Sequence, residues 1–173
     1  MHLPSPSERR GRVWVLEDSP LEAEMARRAL CASQEVSLFD DGSFLLEELA
    51  RGGAPDVLVL DRQIPGLSGL EVCRIVREKR GPMALPVLML TVQGDKEDII
   101  EALEAGANDY VTKPYHISEL VARVGNLVTL SRLAATQAAR TRQLALGADV
   151  GAALTEGRGL TEIARREIGR AHV

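Results

Sequence analysis

Aromatic residues are scarce in this chain: one tryptophan, two tyrosines and two phenylalanines make up 3% of its 173 residues. Any core it builds is therefore aliphatic. Cysteine is nearly absent too. Cys31 and Cys73 stand 42 residues apart and form neither a disulfide framework nor a metal-ligand set. His2, His116 and His172 are too scattered to hold a metal together. No stretch approaches the ~20 consecutive apolar residues that a membrane helix needs. The opening MHLPSPSERRG carries two prolines and no apolar segment, so it does not read as a secretory signal, and a cytoplasmic protein is expected. A large excess of one charge is also missing. The 21 basic and 25 acidic residues leave a net charge of −4, which gives no reason to expect a nucleic-acid surface. The balance is uneven along the chain: residues 1–130 hold 14 bases and 21 acids, whereas 131–173 hold 7 and 4.

What remains is an ordinary globular composition, 45% apolar and 27% charged, able to bury a core without disulfide or metal staples. Five short apolar runs recur: Val13–Leu16, Val36–Phe39, Val57–Leu60, Val87–Leu90 and Tyr110–Val111. Each is continuous rather than alternating, as expected of strands covered on both faces. Amphipathic segments lie between them. Leu21, Met25, Ala29 and Leu30 make one stripe, and Phe44–Leu49, Leu70–Val76 and Ile99–Leu103 repeat the pattern. Ser19-Pro20 reads as a helix cap followed by its first residue, and Ser68 as the cap of the third helix. Cys31 and Cys73 fall on apolar helix faces, and Trp14 on a core strand. Strands alternating with helices imply right-handed βαβ units and a doubly wound parallel α/β sheet of five strands, spanning about residues 11–130.

Residues 1–10 read as a disordered tail. From Ile117 the fifth helix meets no strong breaker before Gly147, with Gly125 a soft spot. Ile117, Leu120, Val124, Leu127, Ser131, Ala134 and Ala138 alternate spacings of 3 and 4, a weak heptad. The favoured reading is a core-facing stripe to Leu130 and then an exposed helical linker; a dimeric coiled coil is the alternative. A second helical piece is expected over Leu144–Leu154, followed by Gly157–Gly159.

Polar groups follow four of the five strands. Glu17-Asp18 comes after the first, Asp61 after the third, Thr91 after the fourth and Lys113-Pro114 after the fifth. In a doubly wound sheet these strand ends share one edge, where ligands bind. Singly each has a plainer reading: an acidic helix start, a turn residue before Pro65-Gly66, a helix cap, a surface charge. Together, three clustered carboxylates repel one another and favour a hard divalent cation, for which Mg²⁺ is suited. A carboxylate beside that cation can attack a phosphoryl group, while Lys113 and the Thr91 hydroxyl stabilise its oxygens. Lys113 is one of only three lysines against eighteen arginines, which makes a casual lysine at this spot a poorer explanation.

The stretches VWVLEDS, LVLDRQIPGLSG, VLMLTV and GANDYVTKPY resemble the receiver domain of two-component response regulators, over roughly residues 11–130. The resemblance implies a flavodoxin-like sheet of order 2-1-3-4-5 and a phosphoryl group taken from a sensor histidine kinase or phosphotransfer protein. It makes Asp61 the phosphoacceptor, with Thr91 and Lys113 contacting the phosphoryl group. Asp18 becomes a metal ligand, Glu17 a ligand mainly through water, and the Gln63 backbone carbonyl a further ligand. Thr91, Tyr110 and Pro114 match switch positions, Pro114 as the site of a cis peptide that would aim Lys113 at the site. The output would be a changed surface of the fourth helix, fifth strand and fifth helix, with catalysis limited to self-phosphotransfer and slow autodephosphorylation. Glu17 stands where the family more often has Asp. Val92 replaces the usual Ala or Gly and narrows access to Asp61. Gln63 and Gln93, two residues past Asp61 and Thr91, are polar but uncharged. Homodimerisation is expected through that same surface or through the C-terminal helix. Asp109 and Arg123 match charged positions of a known receiver dimer face, but Ile99 and Leu130 do not.

Other classes keep a place. A Mg²⁺ phosphohydrolase also uses a strand-end Asp nucleophile, but typically with a second Asp two residues on, where this chain has Gln63. A non-phosphorylated receiver-fold scaffold would not need the full residue set. A flavin-mononucleotide binder is allowed by fold, but the acidic EDSP loop would repel its phosphate. In 131–173 no helix-turn-helix is visible, so no nucleic-acid partner is expected in this chain. The stretch LALGADVGAALTEGRGLTEIARR resembles the opening helix of a GAF sensory domain. The last six residues, IGRAHV, read like a translated sequencing adaptor, ATC-GGA-AGA-GCA-CAC-GTC, so 168–173 are expected to be artefactual. On that reading 131–173 is a helical linker and the truncated start of a following domain, the whole being the N-terminal part of a receiver–GAF–kinase hybrid.

Overall fold

The computed structural model describes residues 10–92 and 96–170, with side chains over 10–92 and 97–145. Among the described residues five strands and five helices alternate: β1 Gly11–Leu16, α1 Pro20–Leu30, β2 Gln34–Phe39, α2 Gly42–Ala50, β3 Val57–Asp61, α3 Gly69–Lys79, β4 Val87–Val92, α4 Lys96–Glu104, β5 Asp109–Lys113 and α5 Ile117–Arg170. The strands pair in parallel in the order β2-β1-β3-β4-β5. The chain steps from β1 to β2, then returns past β1 to β3. That reversal opens a crevice beyond the carboxyl ends of β1 and β3.

The sheet separates two aliphatic layers. Trp14, Leu16, Leu58, Leu60, Val87 and Met89 face α2, α3 and α4, where Leu45, Leu70, Val76 and Ala102 meet them. Val13, Val15, Val57, Val59, Leu88 and Leu90 face α1 and α5, packing on Ala26, Leu30, Leu120 and Val124. β3 is buried along its whole length, which is why its sequence is an unbroken apolar run ending in Asp61. Trp14 stacks obliquely on Phe39, ring centroids 4.8 Å apart.

Local chemistry sets the helix starts. The Ser19 side chain accepts from Glu22 N–H with Pro20 opening α1, Asp41 caps α2, and Ser68 with Glu71 forms a reciprocal capping box on α3. Four expectations need correction. β2 is not covered on both faces: as an edge strand it leaves Glu35, Ser37 and Leu38 exposed. Helix α1 buries Ala23, Ala26 and Leu30, leaving Leu21 71% and Met25 48% exposed; small alanines let the helix lie close to the sheet, which a Leu21/Met25 stripe would hold off. Ile117 is likewise exposed, the buried stripe of α5 starting at Leu120. Cys31 is exposed at the C-cap of α1, whereas Cys73 is buried.

Helix α5 does not break near Gly147 or Gly157–Gly159 but continues to Arg170. Glycine costs a helix about 1 kcal/mol relative to alanine without ending it, and no proline follows Pro114 to do so. Residues 135–173 constitute a unit of their own beside 1–134. Of the tail expected over 1–10, only Arg10 is described, its guanidinium donating to the Cys31 carbonyl at 3.2 Å. Gln93, His2, His172 and residues 171–173 lie outside the described residues. No helix among the described residues is long and apolar enough to cross a membrane.

Candidate functional site

Parallel pairing brings the chemical groups to one edge. Leu16 pairs with Leu60 in the β1–β3 register, so Glu17 and Asp61 are next along their adjacent strands. Asp61 pairs with Leu90, and Val92 with Lys113, which sets Thr91 between β3 and β5. Helix α3 closes tightly on this edge. A Cβ added to Gly69 would sit 2.1 Å from the Asp61 carbonyl oxygen, so only glycine permits that approach.

The centre of the site is an ammonium among carboxylates. Lys113 Nζ donates to Glu17 Oε2 at 2.6 Å, to Asp61 Oδ2 at 2.7 Å, and to Glu22. The Glu17 side chain is 3% exposed, Asp61 10% and Lys113 17%, whereas Glu22 is 44% exposed. Burial pushes the Glu17 carboxyl above the usual range, against the opposing pull of Lys113 and of Ser19 N–H. Burial alone would lower Lys113, but its bonds to Asp61, Glu17 and Glu22 outweigh it and hold the ammonium above the ordinary lysine value.

The remaining residues take distinct places. Gln63 is exposed, and its backbone N–H donates to Asp61 Oδ1 at 3.0 Å. Asp18 is exposed and stands outside the carboxylate cluster, lining a shallow depression with Arg62, Gln63, Ser68 and Glu101. Thr91 is buried, and its Oγ1 has no hydrogen-bond partner among the described residues. Tyr110 is half-buried against the layer that faces α2–α4. The Lys113–Pro114 peptide is cis. Asp109 and Arg123 pair with each other at 2.8 Å.

Two residues escaped the sequence reading. Glu22, in the first turn of α1, joins Glu17 and Asp61 in a group whose carboxylate oxygens approach within 4.8 Å of one another. Arg62, immediately after Asp61, bonds Asp98 at 2.8 Å and Glu101 at 2.7 Å, tying the end of β3 to α4. The available signal was sequence proximity alone: Glu22 five residues past Glu17, Arg62 one past Asp61.

Chemically, this is an all-oxygen, hard-donor cluster able to hold a metal ion. Beside it stands a buried hydroxyl whose hydrogen-bonding capacity is unmet.

The chain matches the family model of the response regulator receiver domain over residues 13–125. It is 40% identical over 116 residues to the DNA-binding response regulator MtrA of Mycolicibacterium smegmatis, covering 66% of this chain and 49% of that protein. It is 39% identical over 129 residues to the response regulator MprA of Mycobacterium ulcerans, covering 74% of this chain and 54% of that protein. It thus spans about half the length of the curated relatives it matches. Among solved structures, the BeF3-activated receiver domain of DrrB, a Thermotoga maritima protein, superposes with a TM-score of 0.63 at 32% identity, covering 70% of this chain and 99% of that one. With its strand order, its strand-end acids and its Lys113 in the expected places, the chain belongs to the response regulator receiver domain family of two-component signalling.

Proposed function

We propose that Asp61 accepts a phosphoryl group from a histidine kinase or a phosphotransfer protein and that the chain signals through the change this causes. The observation that carries the reading is the Lys113–Asp61 contact of 2.7 Å, made across 52 residues at the ligand-binding edge of the sheet. In the transfer step an Asp61 carboxylate oxygen attacks phosphorus, the bond to the donor's imidazole nitrogen breaks, and the imidazole leaves with the electron pair. Lys113 shifts its donor from the carboxylate to a phosphoryl oxygen. The Thr91 hydroxyl, without a partner in the resting state, donates to another. Glu17, Asp18, Asp61 and the Gln63 carbonyl would hold Mg²⁺, which supplies charge neutralisation for the carboxylates and the equatorial phosphoryl oxygens.

Movement of Thr91 toward the phosphoryl group frees space beneath β4, and the half-buried Tyr110 ring turns in to fill it. The surface formed by α4, β5 and α5 changes with it. Differential contacts worth a few kcal/mol suffice for such a population shift. Catalysis is confined to the chain's own phosphorylation and slow autodephosphorylation. The test is incubation with acetyl phosphate and Mg²⁺. One alkali-labile adduct of about 80 Da is expected, absent in Asp61→Asn. Labelling that survives in Asp61→Asn would place the chemistry elsewhere.

A further inference from the structure

Glu22 has no part in the phosphotransfer step, yet it is one of the three carboxylates on Lys113. A lysine ammonium has three N–H donors and no acceptor. Here one goes to Glu17 just past β1, one to Glu22 on α1 and one to Asp61 on β3, so the ammonium is fully committed. Two of those acceptors, Glu17 and Asp61, are the buried ones that a divalent cation would need, and they lie 2.6 and 2.7 Å from Nζ. Cation and ammonium therefore compete for the same oxygens. If those were the only partners, an incoming cation would strand a half-buried positive charge, a costly arrangement. Glu22 differs in position: it is the outermost of the three, its side chain 44% exposed against 3% for Glu17 and 10% for Asp61.

We propose that Glu22 is a positioning residue that retains Lys113 while a divalent cation takes Asp61 and Glu17. It thereby raises the site's affinity for the cation and keeps the ammonium within reach of the phosphoryl oxygens. Glu22 acts through Lys113 and is not itself a ligand. The proposal rests on the phosphotransfer reading above, because it requires a cation at Asp61.

The experiment is a double-mutant cycle on the full chain, read by Mg²⁺ calorimetry. Glu22→Gln is expected to weaken Mg²⁺ binding about fivefold, with Glu22→Asp recovering part of the loss. In the Lys113→Ala background the same Glu22→Gln change is expected to alter affinity by less than about twofold, because the group it acts through is gone. The second readout is nitrogen NMR of the lysine ammonium groups, of which the chain has three. With Mg²⁺ bound, the Lys113 signal is expected to persist in the unmodified chain and to be lost to exchange in Glu22→Gln. A Glu22→Gln effect of full size in Lys113→Ala would overturn the proposal by making Glu22 a ligand or a remote charge. Unchanged affinity in Glu22→Gln would overturn it outright. Absence of saturable Mg²⁺ binding in the unmodified chain, or affinity unchanged by Asp61→Asn, would instead sink the phosphotransfer reading beneath it.

Discussion

Alanine at two glycines should move stability in opposite directions. At Gly69 the added carbon would meet the Asp61 carbonyl oxygen at 2.1 Å, the carbonyl carbon at 2.9 Å and Leu60 Cβ at 3.2 Å. Ordinary C···O contacts begin near ~3.3 Å, so the first turn of α3 must withdraw by about 1 Å. The obstacle is strand backbone rather than the far end of a flexible side chain, so little can give. Overpacking of this kind costs roughly 1–3 kcal/mol, offset only in part by alanine's better helix propensity. A fall in Tm on the order of 5 °C or more is expected for a domain of this size. At Gly125, inside α5, an added Cβ meets nothing within 4 Å. Gly125→Ala should therefore gain about 0.5–1 kcal/mol and raise Tm by a few degrees. Urea denaturation followed by the fluorescence of Trp14, the single tryptophan, measures both. The clash also displaces the acceptor itself. Phosphorylation of Gly69→Ala by acetyl phosphate should drop by on the order of tenfold to a hundredfold under conditions where it is still folded. A Gly69→Ala protein as stable as the parent, or two substitutions that shift stability the same way, would refute the packing argument.

Two further substitutions probe the site from either side of the phosphorylated state. Thr91→Val replaces a buried hydroxyl that has no partner with a methyl of the same shape, so the resting protein should be unchanged or about 1 kcal/mol more stable in urea denaturation. The same variant should lose the beryllofluoride-induced amide shifts at Ala107–Val111 and Ile117–Leu127; full distal shifts in Thr91→Val would remove Thr91 from the switch. Val92, 50% exposed beside Thr91, should slow the approach of water to the phosphorylated Asp61. Pre-labelled Val92→Ala should then lose its phosphoryl group about threefold faster, and equal lifetimes would leave Val92 a packing residue only.

The central strands were legible because buried parallel strands leave an unmistakable trace. Val57–Leu60 and Val87–Leu90 are apolar at every position, and both are buried at every position. β5 was read short, as Tyr110–Val111, because it is an edge strand whose Asp109, Thr112 and Lys113 are polar and half-exposed. Helix faces were harder. Hydrophobicity nominates Leu21 and Met25 for the core of α1, but close packing on a sheet rewards Ala23 and Ala26. Glu17, Asp61, Thr91 and Lys113 could be assembled from sequence because each lies at or next to the carboxyl end of a strand, and strand ends have a known destination. Glu22 and Arg62 could not. Their roles depend on where long side chains reach, Glu22 from a helix turn to Lys113 and Arg62 across to α4, and no periodicity encodes that.

Those two residues change how the resting site is understood. Read from sequence, it is a set of mutually repelling acids that need a cation to coexist. In the structure the repulsion is already answered from within, because Lys113 bonds Glu17, Glu22 and Asp61 at once. Three carboxylates and one ammonium leave a local charge of −2 when all are ionised, which still favours a divalent cation. On the proposed reading, a cation would enter by exchange of partners rather than by filling an unpaired acidic hole. Arg62 makes a comparable commitment on the other side of Asp61, bonding Asp98 and Glu101, while Arg74 of α3 bonds Glu101 at 3.1 Å. The residue next to the acceptor is thus tied to α4, and α4 in turn to α3. Most of the charged groups around Asp61 are paired in the resting state, whereas the Thr91 hydroxyl is not. On the phosphotransfer reading, a phosphoryl group at Asp61 would meet one hydroxyl without a partner among the described residues and charged donors that must be drawn from existing partners, an asymmetry that would make Thr91 the first responder.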